Sequence, residues 1–192
     1  MKMNELIIKE KIQPHLSPKR FGHTLGVVEV AKKLAIRYHE PIEPVVEAAL
    51  LHDCARNFSN TDLLKLAQEN AIKIDRVSKN DPSLLHGPVG VVIAQKDYGV
   101  YDEAVLNAIR YHTTGRKKMT QLDKIIYLAD CIEPGRNYKG LTELRDLAVF
   151  DLDMAVLEAL TNTLKFLLDK GQLIHKQTVS ARNDLILRIK KG

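Results

Sequence analysis

Four histidines and two aspartates in this 192-residue chain fall where helical periodicity expects apolar side chains, and such positions need a chemical reason. His23 shares a face with Val27, Val30 and Leu34. His52 and Asp53 sit in VVEAALLHDCA (Val45 to Ala55), a segment apolar almost all round. His86 heads a face continued by Val89 and Ile93. His112 lies three and four residues after Ile109 and Ala108, and Asp130 follows Ile126 by four. A single buried histidine usually just satisfies its hydrogen bonds. Two buried carboxylates are harder to excuse, because each is expensive unless paired or bound to a metal. Helix bundles build metal sites from such inward side chains on facing helices. Imidazole with carboxylate and no thiolate suits iron, manganese, cobalt or zinc rather than a structural cysteine-type zinc site.

Elements that could carry these groups follow from caps and breakers. Ser17 caps a helix with Pro18 at its first position, running toward Tyr38. Pro41 and Pro44 punctuate, and Val45 to Ala55 reads as a helix in the middle of a bundle. On that helix, His52 and Asp53 would point about 100° apart. Further helices are predicted over about 60–69, 83–97, 102–112, 120–131, 141–149, 151–170 and 178–190, with Asn60, Thr120, Asp151 and Thr178 or Ser180 as caps and Gly171 as a stop. No segment alternates like a strand, connections are short, and there is no internal repeat. The expectation is one all-α domain over residues 1–192.

Composition removes several function classes. Hydrophobic residues make up 45% of the chain, which excludes global disorder; Trp is absent, so the core must be aliphatic. Of the net charge of +5, most sits in the last helix and tail, where Lys176, Arg182, Arg188, Lys190 and Lys191 face only Asp184. The rest is close to neutral, so a nucleic-acid surface is not expected. No apolar run suits a membrane span or a secretory signal, and Cys54 and Cys131 are too few for a disulfide framework. A reducing cytoplasm is the expected compartment.

His23, His52-Asp53 and Asp130 resemble the H…HD…D signature of the HD-domain metallophosphohydrolases, with His86 and His112 where dinuclear members carry two more ligands. The strings KRFGHTLGV, LLHDCAR, HTTGRKKM, LDKIIYLADCIEPGR and SARN are similar to the YqeK-like bacterial branch, the symmetrical diadenosine-tetraphosphate hydrolases. The motif core spans about 18–136. Ala55 and Arg56 stand where cyclic-di-GMP phosphodiesterases carry Gly and Lys, and Lys is frequent at Arg56 within the branch itself.

The resemblance implies a helical HD bundle with a buried dinuclear site and two divalent transition-metal ions, iron first, with manganese, cobalt or zinc as alternatives. His23, His52, Asp53 and Asp130 would hold one ion, Asp53 would bridge, and His86 and His112 would complete the second. Two cations can hold one hydroxide between them and clamp phosphoryl oxygens for in-line displacement. The implied reaction cleaves diadenosine tetraphosphate to two ADP; a broader nucleotide phosphohydrolase or phosphodiesterase is the alternative, and a non-enzymatic helical module a more distant one. Arg20, one turn before His23, is placed to reach a phosphate, as are Arg56 and Arg136 in the loops after Asp53 and Asp130. Thr113, Thr114 and Gly115, at a helix end after His112, could contact phosphate or base. Lys124 and Glu133 could support the ligands from behind. His15, His39 and His175 match no motif and read as surface or structural, and the cysteines as packing residues. The partner is a small nucleotide, and a homodimer is left open.

Overall fold

The computed structural model describes residues 4–190, so Lys191 of the basic tail and the first three residues lie outside the described residues. Among them are eleven α-helices and two 3-10 turns, with no strand. The helices are α1 (Glu5–Ile12), α2 (Pro18–Arg37), α3 (Ile42–Leu51), α4 (Asn60–Glu69), α5 (Arg76–Asn80), α6 (His86–Tyr98), α7 (Glu103–Tyr111), α8 (Gln121–Ile132), α9 (Leu141–Phe150), α10 (Leu152–Asp169) and α11 (Lys176–Ile189). Local chemistry explains their starts. The Ser17 hydroxyl accepts from the Arg20 N–H, Thr120 and Asp123 form a reciprocal capping box, and Asp151 accepts from Met154.

Three predicted boundaries move. Ser59 rather than Asn60 caps α4, and His175 rather than Thr178 or Ser180 caps α11. The stretch 83–97 divides into a 3-10 turn, Pro82–Leu85, followed by α6. The largest correction concerns the helix expected to Ala55. Helix α3 ends at Leu51, and His52 to Phe58 continue as tight turns in which Cys54, Arg56 and Phe58 N–H groups each reach the carbonyl three residues back. His52 and Asp53 therefore sit at a helix end. Helices α1 and α5 were not anticipated.

The main core is built by α2, α3, α7 and α8, with α9, α10 and α11 extending it on one side. Leu50, Leu51, Ile109, Ile125 and Ile126 are fully enclosed there. Each such burial contributes about 1.5–3 kcal/mol, which is what offsets the cost of bringing charged groups inside. A smaller cluster of Ala55, Leu63, Ala67, Leu85 and Val89 lies under α4. It braces the turn after α3 and the start of α6, which carry Asp53 and His86. No helix among the described residues is long and apolar enough to cross a membrane.

Candidate metal centre

Five elements deliver the six side chains to one place. His23 comes from α2, His52 and Asp53 from the turn after α3, His86 from the start of α6, His112 from the end of α7, and Asp130 from α8. His52, His86 and His112 each cap the C-terminus of the helical element before them. Orphan carbonyls are available there, and each ring uses one. Nδ1–H of His52 donates to Ala49 (2.6 Å), that of His112 to Ile109 (2.7 Å), and that of His86 to Ser83. His23 donates from Nδ1 to Glu133 Oε1 at 3.1 Å. With Nδ1 donating in this assignment, a neutral ring keeps its Nε2 lone pair, which is how metal-ligating histidines are oriented. The four Nε2 atoms turn inward, His23 and His52 3.4 Å apart and His86 and His112 2.9 Å apart. Two facing lone pairs at 2.9 Å repel unless a cation or a proton lies between them.

Asp53 joins the two pairs. Its Oδ2 lies 3.7 Å from His23 Nε2 and 3.5 Å from His52 Nε2, and its Oδ1 lies 3.3 Å from His86 Nε2 and 3.6 Å from His112 Nε2. Asp130 Oδ1 approaches His23 Nε2 at 3.1 Å. Donor atoms thus group as His23, His52 and Asp130 on one side and Asp53, His86 and His112 on the other, each within 4.8 Å. Burial would raise both carboxylates, but the neighbouring imidazoles outweigh it, and Asp53 and Asp130 are held well below the usual range. Burial pushes His112 down; at His52 the charge of Asp53 overcomes burial and the value rises. Ionised carboxylates among inward lone pairs are a donor set suited to divalent cations. Burial lifts Cys131 to about 12 and Cys54 higher still, so neither thiol competes as a thiolate at neutral pH.

Around this cluster the other predicted residues divide. Arg20 Nη1 donates to Asp53 Oδ2 at 2.7 Å, and Arg136 donates from Nη2 to Asp130 Oδ1 and from Nε to the Asp130 carbonyl (2.8 Å). Both arginines, with Arg56 and His23, line a groove of about 1140 Å³ beside α2. The Thr113 hydroxyl sits 3.2 Å from His86 Nε2 and 3.1 Å from His112 Nε2. Thr114 turns inward and donates to the Gly115 carbonyl. The Gly115 N–H donates to the Tyr111 carbonyl, and a Cβ at this position would lie 3.0 Å from Ala181 Cβ. Lys124 pairs with Asp153 across α8 and α10, away from the ligands, whereas Glu133 holds His23 as described.

Two positions escaped the sequence reading. A Cβ on Gly26 would lie 2.8 Å from Glu133 Oε2, and one on Gly87 would lie 2.6 Å from the Arg110 carbonyl. The first lets Glu133 approach His23, and the second lets α6 close on α7 so that His86 meets His112. A glycine inside an otherwise regular helix was the available signal.

A protein from Halalkalibacterium halodurans named bis(5'-nucleosyl)-tetraphosphatase, symmetrical, is 39% identical, the match covering 98% of this chain and 100% of that protein. One of the same name from Bacillus subtilis is 37% identical over 91% and 94% of the two chains. A crystal structure from Clostridium acetobutylicum, described as a predicted HD superfamily hydrolase involved in NAD metabolism, is 41% identical with a TM-score of 0.94, covering 98% of this chain and all of that one. The HD domain family model matches residues 20–135, from Arg20 of the groove through every ligand candidate to the loop after α8, and the chain belongs to the HD-domain family.

Proposed function

We propose that this chain hydrolyses diadenosine tetraphosphate at its central phosphoanhydride, giving two ADP, with two divalent transition-metal ions, iron first, held by the cluster. The observation that carries this reading is Asp53, whose two oxygens face separate pairs of imidazoles at the head of an arginine-lined groove. His23, His52 and Asp130 would hold one ion, His86 and His112 the other, with Asp53 between them. Such ions supply Lewis acidity toward phosphoryl oxygens and make water a nucleophile at neutral pH. The protein's own residues do the rest. The carbonyls of Ala49, Ser83 and Ile109 and the Glu133 carboxylate fix the rings before substrate arrives. Arg20 and Arg56 offer guanidinium donors to the phosphate chain, and Arg136 steadies Asp130. Water adds to one of the two central phosphorus atoms, the bond from that phosphorus to the bridging oxygen breaks, and the second ADP leaves with that oxygen.

The full-length likeness to two proteins named symmetrical tetraphosphatases supports the substrate over a broader phosphohydrolase. Two free thiols suit a reducing cytoplasm. The test is product analysis. Diadenosine tetraphosphate should yield ADP alone, with activity lost to a chelator and restored by iron. Production of ATP with AMP, or ADP release indifferent to chelator, would overturn the reading.

A further inference from the structure

The groove beside α2 is roomier than a phosphate chain requires. Its basic residues Lys19, Arg20 and Arg56 come from the start of α2 and the turn after Asp53; the loop 134–138 also lines it and carries Arg136, which is held by Asp130. At about 1140 Å³ it exceeds the space that holds a typical small ligand, roughly 300–1,000 Å³. Resting on the phosphohydrolase reading above, we propose that the Tyr138 end of this groove seats one nucleoside of a dinucleoside polyphosphate, with the Tyr138 ring as its stacking surface.

Three observations point there. Tyr138 is the one tyrosine, phenylalanine or tryptophan lining the groove among the described residues, and it is 39% exposed. Its hydroxyl donates to the Cys131 carbonyl at 2.9 Å, which tethers the ring by its edge and leaves the side chain partly open. Gly22 lines the same groove, and a Cβ placed on it would meet nothing within 4 Å, so the helix surface there is bare and a flat base can approach the backbone. Asn137, exposed next to Tyr138, offers an amide to a base edge. Every base has a π-face, so such a seat tolerates different bases and favours purines for their larger stacking area.

The experiment compares Tyr138→Ala, Tyr138→Phe and Gly22→Leu by steady-state kinetics on diadenosine tetraphosphate and by calorimetric titration of the metal-loaded protein with ADP. Removing a stacking partner should weaken binding about 5- to 150-fold. Tyr138→Ala should therefore raise KM and Kd by that range with kcat nearly unchanged, since the contact is made equally in the ground and transition states. Tyr138→Phe, which keeps the ring but loses the tether to the Cys131 carbonyl, should raise KM and Kd far less than Tyr138→Ala. Gly22→Leu should raise KM although its helix is more stable. Unchanged KM and Kd in Tyr138→Ala, or a Tyr138→Phe variant as damaged as Tyr138→Ala, would overturn the seat. The two readings separate cleanly. Wild-type protein that makes no ADP, yet loses affinity on Tyr138→Ala, removes the hydrolase reading and keeps the seat. ADP formation with no change in affinity removes the seat alone.

Discussion

Imidazole Nε2 meets an aspartate in two regions of this molecule, and the rings there donate from opposite nitrogens. In the central cluster each histidine donates from Nδ1 to a carbonyl or to Glu133 and turns Nε2 toward its neighbours. His175 does the reverse. Its Nδ1 accepts from the Gln177 N–H at 3.2 Å, and its Nε2–H donates to Asp75 Oδ2 at 2.6 Å. Asp75 Oδ1 in turn accepts from the N–H groups of Val77 and Ser78, both at 2.9 Å. Both ring nitrogens of His175 are spent on protein groups, and the pair ties the start of α5 to the start of α11. Residue type is the same in the two places. What differs is whether a lone pair is left over, and only the cluster leaves several pointing at one another.

Breaking the cluster should give the largest effect. His52→Ala and Asp53→Ala should each lower kcat/KM for diadenosine tetraphosphate by more than about 100-fold, because even groups that merely orient metal ligands typically matter by 10–100-fold. The helical circular-dichroism signal should persist. Activity within a few-fold of wild type would mean that the chemistry lies elsewhere.

Glu133 offers an intermediate cut, since it touches His23 but belongs to neither donor group. Glu133→Ala frees the His23 ring and should lower metal affinity about 10–100-fold. Metal titration followed by activity recovery measures this, and wild-type affinity would show that the Nδ1 contact is incidental.

The smallest effect is expected at the peripheral pair, and it should fall on stability alone. Asp75→Ala removes a helix N-cap, costing about 0.5–2 kcal/mol, with metal content and turnover unchanged. Burial raises the Asp75 carboxyl, but the N–H groups of Ser78 and Val77 and the His175 ring outweigh it, so its folded pKa lies below the ordinary value. A carboxyl depressed on folding stabilises fully above its unfolded pKa of about 3.9, and that contribution disappears as pH falls through the folded value. Wild type and Asp75→Ala should therefore differ in thermal midpoint at neutral pH and converge in acid. A difference that grows in acid would contradict the assignment.

Much of this contrast is readable from sequence because helical period and caps are local. Ser17 before Pro18 marks the start of α2, and the apolar spacing brings all six polar groups to one interior. Deeper features are not local. The HD turn reads as helix because Val45 to Ala55 is apolar almost all round, yet the chain leaves the helix at His52, where that ring takes over the Ala49 carbonyl. Helix α5 is too short for periodicity to register. His175 has no sequence signal for its partner, which lies 100 residues away. Gly26 and Gly87 matter for what a Cβ would strike on another helix, and only packing reveals that.

The cluster differs from the Asp75–His175 pair in being one bridged pair of cation sites rather than a polar knot. Elemental analysis of protein prepared under reducing, anaerobic conditions tests it most directly, on wild type, His86→Ala, His112→Ala and His175→Ala. Close to two transition-metal ions per chain are expected in wild type and in His175→Ala, with about one lost in His86→Ala and in His112→Ala. A single ion in wild type, unaffected by His86→Ala and His112→Ala while activity is retained, would contradict it.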